Sequence, residues 1–295
     1  LTMVATDLLT QSVVNGLLLG GIYALAALGL SLVFGIMDIV NLAHGHMLMV
    51  GAYIAILVFA ATGITPLVGM LLAMVLMFGL GVLLQKVLLK HVVDEGIEQP
   101  IIVLFGLALI LQNLGRVLLG GDARTADIGL PGSGFDVGIA YMSFPRTVTF
   151  VVSVLLIVLT WAFLKYTKTG QAIRATAQNR TAAKYMGINT DQIYVITLGI
   201  GTALAGAAGA LLSMLFPIDP YVGWSYLLKT FAVVVLGGVG SVLGTLVGGL
   251  VLGVSENLGA LYLGGGYRNV VSLLIFLGVL LIKPEGLFGG SGGGE

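Results

Sequence analysis

The stretch "GIMDIVNLAHGHM", residues 35–47, separates two apolar runs, and its reading decides how the chain is folded. Upstream, residues 8–37 carry no charged side chain; downstream, no formal charge occurs from 39 to 85. A helix needs about 20 residues to cross ~30 Å of hydrocarbon, so these runs are too long for single spans and must be broken. Gly35 reads as the end of one apolar helix and Asp38 or Asn41 as the cap that starts the next, with a side-chain oxygen for its exposed amides. "ATGITP" at 61–66 supplies a second break through its Gly and Pro.

Working outward, about eight apolar segments recur, near 12–36, 38–62, 66–90, 100–120, 146–166, 191–216, 225–256 and 267–283. The chain is 58% hydrophobic and only 9% charged, against roughly 25% charged in a soluble domain. The expected fold is all-α: a polytopic membrane helical bundle, some of its segments broken or re-entrant. Residues 1–288 read as one transmembrane domain, with 289–295, "GSGGGE" preceded by Gly, as a flexible tail. The N-terminal run has no basic segment before it and no small-residue cleavage site after it, so it reads as a spanning or re-entrant segment rather than a removable signal. With no cysteine, disulfides, thiolate metal sites and Cys nucleophiles are excluded. Thirteen basic and thirteen acidic residues cancel, leaving no broad basic face for nucleic acid.

Basic loops orient the bundle, because short loops rich in Lys and Arg stay cytoplasmic. Lys165, Lys168, Arg174, Arg180 and Lys184 precede the next acid, Asp191, so this loop is placed inside. Lys86, Lys90 and His91 mark a second inside loop. Between them, 121–145 holds Asp122, Asp127, Asp136 and "LPGSG" and reads as an external loop. "FPIDPYVGW" at 216–224 reads as an external turn. "GGVGS" at 237–241 then interrupts the segment 225–256; if the chain enters, turns there and returns, Lys283 ends inside.

Glycine makes up 45 of the 295 residues. Gly16 and Gly20, then Gly201, Ala205 and Gly209, then Gly240, Gly244 and Gly248, with Gly249 and Gly253 alongside, clear single helix faces and read as packing seams. They do not read as a nucleotide cradle. Gly238, Gly240 and Gly244 miss the dinucleotide spacing, and no Gly-Lys pair exists to serve a phosphate-binding loop.

"TGQAIRATAQNRTAAKYMGINTDQ", 169–192, is the least hydrophobic long piece, yet it reads as helix. Thr169 is placed to cap it, its alanines favour helix, and Gly187 is placed to end it. It fits a lipid-surface helix, a solvated connector or a protein-docking helix, and the alanine-rich surface suits the last best.

At this point the sequence resembles the membrane permeases of bacterial ABC importers for branched-chain amino acids, of the LivH type. The resemblance rests on "GGIYALAALGLSLVFGIMDIVNLAHGHMLMVGAYIA" at 20–55, the stretch from Thr169 to Asn189, "VVLGGVGSVLGTLVGGLVLG" at 234–253 and "KPEGLFG" at 283–289. It implies that 169–189 is a cytoplasmic coupling helix seated in an ATPase groove. Gly170, Ala172, Arg174, Ala177, Arg180, Ala182, Ala183, Lys184 and Gly187 are then the coupling residues. The family's loose E-A-A-x-x-x-G motif has Thr181 at its acidic position here, and the downstream Pro is missing. The resemblance further implies a homologous second permease (LivM type), two ABC ATPases that bind ATP and Mg, an external solute-binding protein, surrounding lipid and a bacterial inner-membrane location. This chain itself would be no enzyme and hold no cofactor.

Within the membrane, Asp38, Asn41, His44, Gly237, Gly238, Gly240 and Ser241 are candidates for the translocation path or helix breaks. An ionised carboxylate at mid-depth costs ~2.5–3.5 kcal/mol, so Asp38 and Glu256 are expected to face protein, water or headgroups. His44 and His46, two apart, point to different faces of a helix and do not read as a metal pair. Gln112, Asn113, Glu256 and Asn257 read as interhelical hydrogen-bonding residues. The rival reading is an ion-coupled transporter or channel for a small neutral solute such as urea or an amide, with Asp38, His44 and Glu256 carrying ions or protons.

Overall fold

A computed structural model describes residues 2–93, 96, 98–126, 134–138, 140–283 and 286. Asp127, "LPG" of the external turn, Phe288 and the tail 289–295 lie outside these residues. Eleven α-helices dominate: α1 (Thr2–Met37), α2 (His44–Thr62), α3 (Pro66–Val87), α4 (Glu98–Leu119), α5 (Phe144–Tyr166), α6 (Lys168–Gln178), α7 (Arg180–Tyr185), α8 (Thr190–Leu212), α9 (Val222–Gly237), α10 (Val242–Leu263) and α11 (Arg268–Ile282). Among the described residues, eight helical segments are long and apolar enough to cross a membrane; α9, with 16 residues, is shorter. The 121–145 loop also contains a small antiparallel hairpin, β1 (Gly134–Asp136) with β2 (Tyr141–Ser143). Gln11 ties it to α1 by exchanging 2.8 Å hydrogen bonds with the Tyr141 backbone.

Helix starts follow local chemistry. Thr65 caps α3 by accepting from Leu67 N, with Pro66 at the first helical position. Asn189 caps α8 through Gln192 N, beside Asp191 in the first turn. Ser241 caps α10 through Gly244 N at 3.0 Å. Gly63, in the left-handed conformation, ends α2 where the "ATGITP" break is expected.

The core forms around α1 and α8, whose most apolar windows are 89% and 83% buried, whereas α11 is 6% buried and lies at the periphery. Small residues permit this. A Cβ on Gly20 would strike the Gly249 carbonyl at 2.6 Å, and one on Gly249 would meet Ala24 N at 2.6 Å, so α1 and α10 touch backbone to backbone. Gly201 similarly faces Gly29 on α1, and Gly51 on α2 faces Gly206 on α8. Gly240 is the exception to the expected seams: it lies in a turn, and a Cβ added there would meet nothing within 4 Å.

The segment 225–256 resolves into two helices. α9 and α10 run antiparallel, with Gly237 against Gly244 and Gly248 against the Val233 carbonyl. Residues 238–241 turn between them, and Gly238 (φ 87°) and Gly240 (φ 76°) adopt backbone conformations that disfavour a Cβ. Of the two topologies considered, this is the one that enters, turns and returns. Gly286, beyond α11, lies against Gly238, so the chain comes back to the same end of the bundle.

Candidate functional site

The break at 35–47 differs in detail from expectation. Gly35 does not end the first helix; α1 continues to Met37. Asp38 then adopts φ 54° and donates its N–H to the Phe34 carbonyl at 3.0 Å, which closes α1 with a left-handed residue. Asp38 is exposed and does not cap α2. Asn41 does part of that task from further back: its Oδ1 accepts from Ala43 N at 3.1 Å, and its carbonyl accepts from His44 N. Asn41 is wholly buried. His44 Nε2 donates to the Ala26 carbonyl at 2.9 Å. Ala26 lies eleven residues before the end of α1, about 16 Å back along it. Residues 38–43 therefore double back beside α1, and α2 begins deep in the bundle.

His46 diverges from His44, as its spacing requires. Its ring meets Trp224 edge-on, with centroids 4.8 Å apart, and Trp224 Nε1 donates to Gln112 Oε1 at 2.8 Å. Gln112 thus bonds between helices, whereas Asn113 and Asn257 return their amides to carbonyls of their own helices. Among the described residues, no group of three or more His, Cys, Asp or Glu is placed to hold a metal.

The two breaks converge. Gly240 N donates to Ser31 Oγ on α1 at 2.9 Å, and a Cβ on Gly35 would touch Gly240 Cα at 3.0 Å. Beside this contact lies a cavity of about 340 Å³, lined by Ser31, Gly35, Trp161, Lys165, Arg174 and Gly240 among others. It joins the end of α1, the 238–241 turn and the basic loop in one place.

That loop is two helices rather than one. Asn179 (φ −158°, ψ 104°) interrupts it and caps α7 by accepting from Ala182 N at 2.9 Å. Thr167, not Thr169, caps α6, through Gly170 N at 2.9 Å. A β-hydroxyl must precede the first turn to reach its amides, and Thr169 is already inside the helix. Gly170 packs directly on the Phe163–Leu164 backbone, Ala172 is half-buried, and Ile173 and Ala183 are buried. Arg180 lies over the Tyr194 ring at 4.9 Å. Arg174, Ala177, Ala182, Lys184 and Gly187 are exposed, and Gly187 (φ 81°) turns the chain after α7. Two large side chains absent from the expected coupling set are also exposed: Tyr185 is 86% and Met186 83% exposed. Their position after Ala182 and Ala183, as two large neighbouring side chains at the end of α7, was the available signal.

Sequence reasoning also missed Lys229. Its Nζ lies 2.9 Å and 3.0 Å from the two oxygens of Glu256. Tyr23 OH donates to Glu256 Oε2 at 2.8 Å, and Ser272 Oγ donates to Oε1. Lys229 also donates to Tyr23 OH at 3.1 Å. One carboxylate on α10 thus binds α1, α9 and α11 together. A lone Lys in an apolar run was the only clue, because its partner lies 27 positions away.

The chain is similar to known permeases. The sequence profile of the family described as "Branched-chain amino acid transport system / permease component" matches residues 12–281. The high-affinity branched-chain amino acid transport system permease protein LivH is 33% identical in Escherichia coli and 32% in Salmonella typhimurium, each with 95% of both chains covered. BraD of Pseudomonas aeruginosa, a high-affinity branched-chain amino acid transport system permease protein, is 35% identical, again over 95% of both chains. The solved structure of PsaBC from Streptococcus pneumoniae in complex with Fab superposes with a TM-score of 0.49 at 15% identity, covering 96% of this chain and 93% of that one. With a profile spanning nearly all of its helices and relatives above 30% identity along almost its full length, this chain belongs to the branched-chain amino acid transport permease family.

Proposed function

We propose that this chain is the membrane subunit of an ATP-driven importer, carrying leucine, isoleucine and valine across the bacterial inner membrane. A second permease of the LivM type completes the path, an external solute-binding protein delivers the solute, and two ATPase subunits supply ATP and Mg chemistry. The chain itself is not an enzyme. The observation that carries this reading is the α6–α7 unit. It is anchored to the bundle by Gly170, Ile173 and Ala183, it presents Tyr185 and Met186 outward, and it shares a cavity wall with both helix breaks. α6 faces the end of α1 and the 238–241 turn across one space lined by Arg174, Gly35 and Gly240, so a displacement of α6 changes the shape of that space. That is the connection an ATPase needs to switch a path between its two facings.

The ion-coupled alternative asks for a titrating carboxylate with a free face. Glu256 instead has both oxygens engaged by Lys229, Tyr23 and Ser272. Asp38 is an exposed helix terminus, and His44 is committed to a backbone carbonyl. These roles favour a structural reading of the polar residues.

The double variant Tyr185→Ser/Met186→Ser is expected to keep the thermal stability of the parent, because both side chains are exposed. Its co-purification with the ATPase subunits should fall by about tenfold or more, as for loss of paired interface anchors. Undiminished co-purification together with full substrate-stimulated ATP hydrolysis would rule out docking through this tip.

A further inference from the structure

A second cavity, of about 230 Å³, opens above the Lys229–Glu256 pair. Tyr23, Phe216 and Tyr226 form its aromatic walls; Lys229, Arg268 and Asn269 supply its polar groups. At ~30 Å³ per water it has room for about seven waters, the size of a small solute. It lies at the end of the bundle opposite the basic loop, since Phe216 follows α8 and Arg268 begins α11.

The charges here do not balance locally. Glu256 is the acid at this site, and its oxygens are taken up by Lys229, Tyr23 and Ser272. Arg268 is left over: its Nε is buried without a hydrogen-bond partner. The guanidinium is half-buried at a cavity mouth rimmed by the exposed Gly265, Gly266 and Asn269, where an anion can reach it, and its planar fork matches a carboxylate. Lys229, 12% exposed and held by the faces of Tyr23 and Tyr226, closes the floor as one half of the neutral pair with Glu256, its three N–H groups directed at Glu256 and Tyr23.

We infer that this cavity binds the carboxylate group of the transported amino acid, with Arg268 as the principal contact, Asn269 beside it, and the aromatic walls around the apolar side chain. The inference rests on the importer reading above and assigns a substrate site within it. An anionic lipid headgroup offers the same oxygen chemistry, so the test separates the two.

Equilibrium binding of radiolabelled isoleucine to the complete importer, without solute-binding protein, is measured in nanodiscs of neutral lipid. Arg268→Gln should weaken binding by about ten- to a hundredfold, the loss of a charge-assisted hydrogen bond, while Arg268→Lys retains most of it. 4-Methylpentanoate, which keeps the carboxylate, should compete; 3-methylbutylamine, which lacks it, should not. Asn269→Ala provides a milder variant of the same rim should Arg268→Gln impair folding, and should weaken binding severalfold. Equal affinity in the parent and the stable variants, competition by the amine alone, or an Arg268 effect seen only when phosphatidylglycerol is added would each overturn the site. If the parent complex takes up isoleucine with ATP but binds none here, the site falls and the importer reading stands. If no ATP-dependent uptake occurs, the importer reading itself fails.

Discussion

Gly209→Ala is expected to destabilise the fold severely, while the same substitution at Gly79 or Gly106 leaves it intact. The difference lies in what each new methyl group meets. At Gly209 it runs into the Leu48 carbonyl oxygen and crowds Ala52 N at 2.9 Å, both backbone atoms of α2 that cannot rotate away. At Gly79 and Gly106 nothing lies within 4 Å. Overpacking a fitted interface costs about 1–3 kcal/mol and more where backbone must shift. In a lipid environment this loss is not offset by hydrophobic burial elsewhere, because close dispersion contact is what holds apolar helices together. Thermal unfolding in detergent should therefore show a lower midpoint, or no monodisperse protein, for Gly209→Ala. The controls should match the parent or exceed it slightly, since alanine stiffens an exposed helix by up to about 1 kcal/mol relative to glycine. Equal midpoints for all three variants would show that α2 and α8 do not meet through this seam.

Lys229→Met is the second large effect. It removes the cation from a carboxylate that has 1% side-chain exposure and leaves that charge buried with only the two hydroxyl donors. Breaking a buried pair from one side costs about 3–5 kcal/mol, whereas removing both charges together is often close to neutral. The double variant Lys229→Met/Glu256→Gln should accordingly recover most of the stability lost in the single one, because the glutamine oxygen accepts from one of the two hydroxyls while its amide N–H donates to the other. The measurement is a double-mutant cycle on unfolding in detergent. Additive effects in that cycle would mean that the pair is not coupled and that Glu256 is held by its hydroxyl partners alone.

The four-residue spacing of small residues is a property of a single helix, so the seams at Gly20, Gly201 and Gly249 were legible, and their partners followed once the helices were placed. Gly240 was read both into a seam, because it shares the spacing, and into the break at 237–241; it lies in the turn, with positive φ. The break at 35–47 was visible from composition, but not which residue closes α1. Asp38 closes it because an aspartate tolerates the left-handed region, and Asn41 serves α2 from outside the helix. In the basic loop, Thr167 and Asn179 were passed over as caps because Thr169 stood nearer the alanines. The Lys229–Glu256 pair was invisible for a different reason. Its members lie on separate helices, and only the α9–α10 hairpin brings them face to face.

The polar residues then divide by what holds them. Asn41, His44 and Glu256 each fix one helix against another or against a coil, and they account for how so apolar a chain keeps α2 and α10 in register. The exposed tip of α7 and the charged cavity above Lys229 are different in kind, since both present groups that the chain itself does not satisfy. They lie at opposite ends of the bundle, with the two helix breaks between the tip and the core.

The most direct test of this account is isoleucine uptake into proteoliposomes that contain the chain with its second permease and ATPase subunits, with ATP inside and loaded solute-binding protein outside. The account predicts uptake that requires ATP and all the subunits, and that is lost in Tyr185→Ser/Met186→Ser while the complex's membrane subunits stay folded. Uptake by this chain alone, without ATP and driven by an ion gradient, would contradict it.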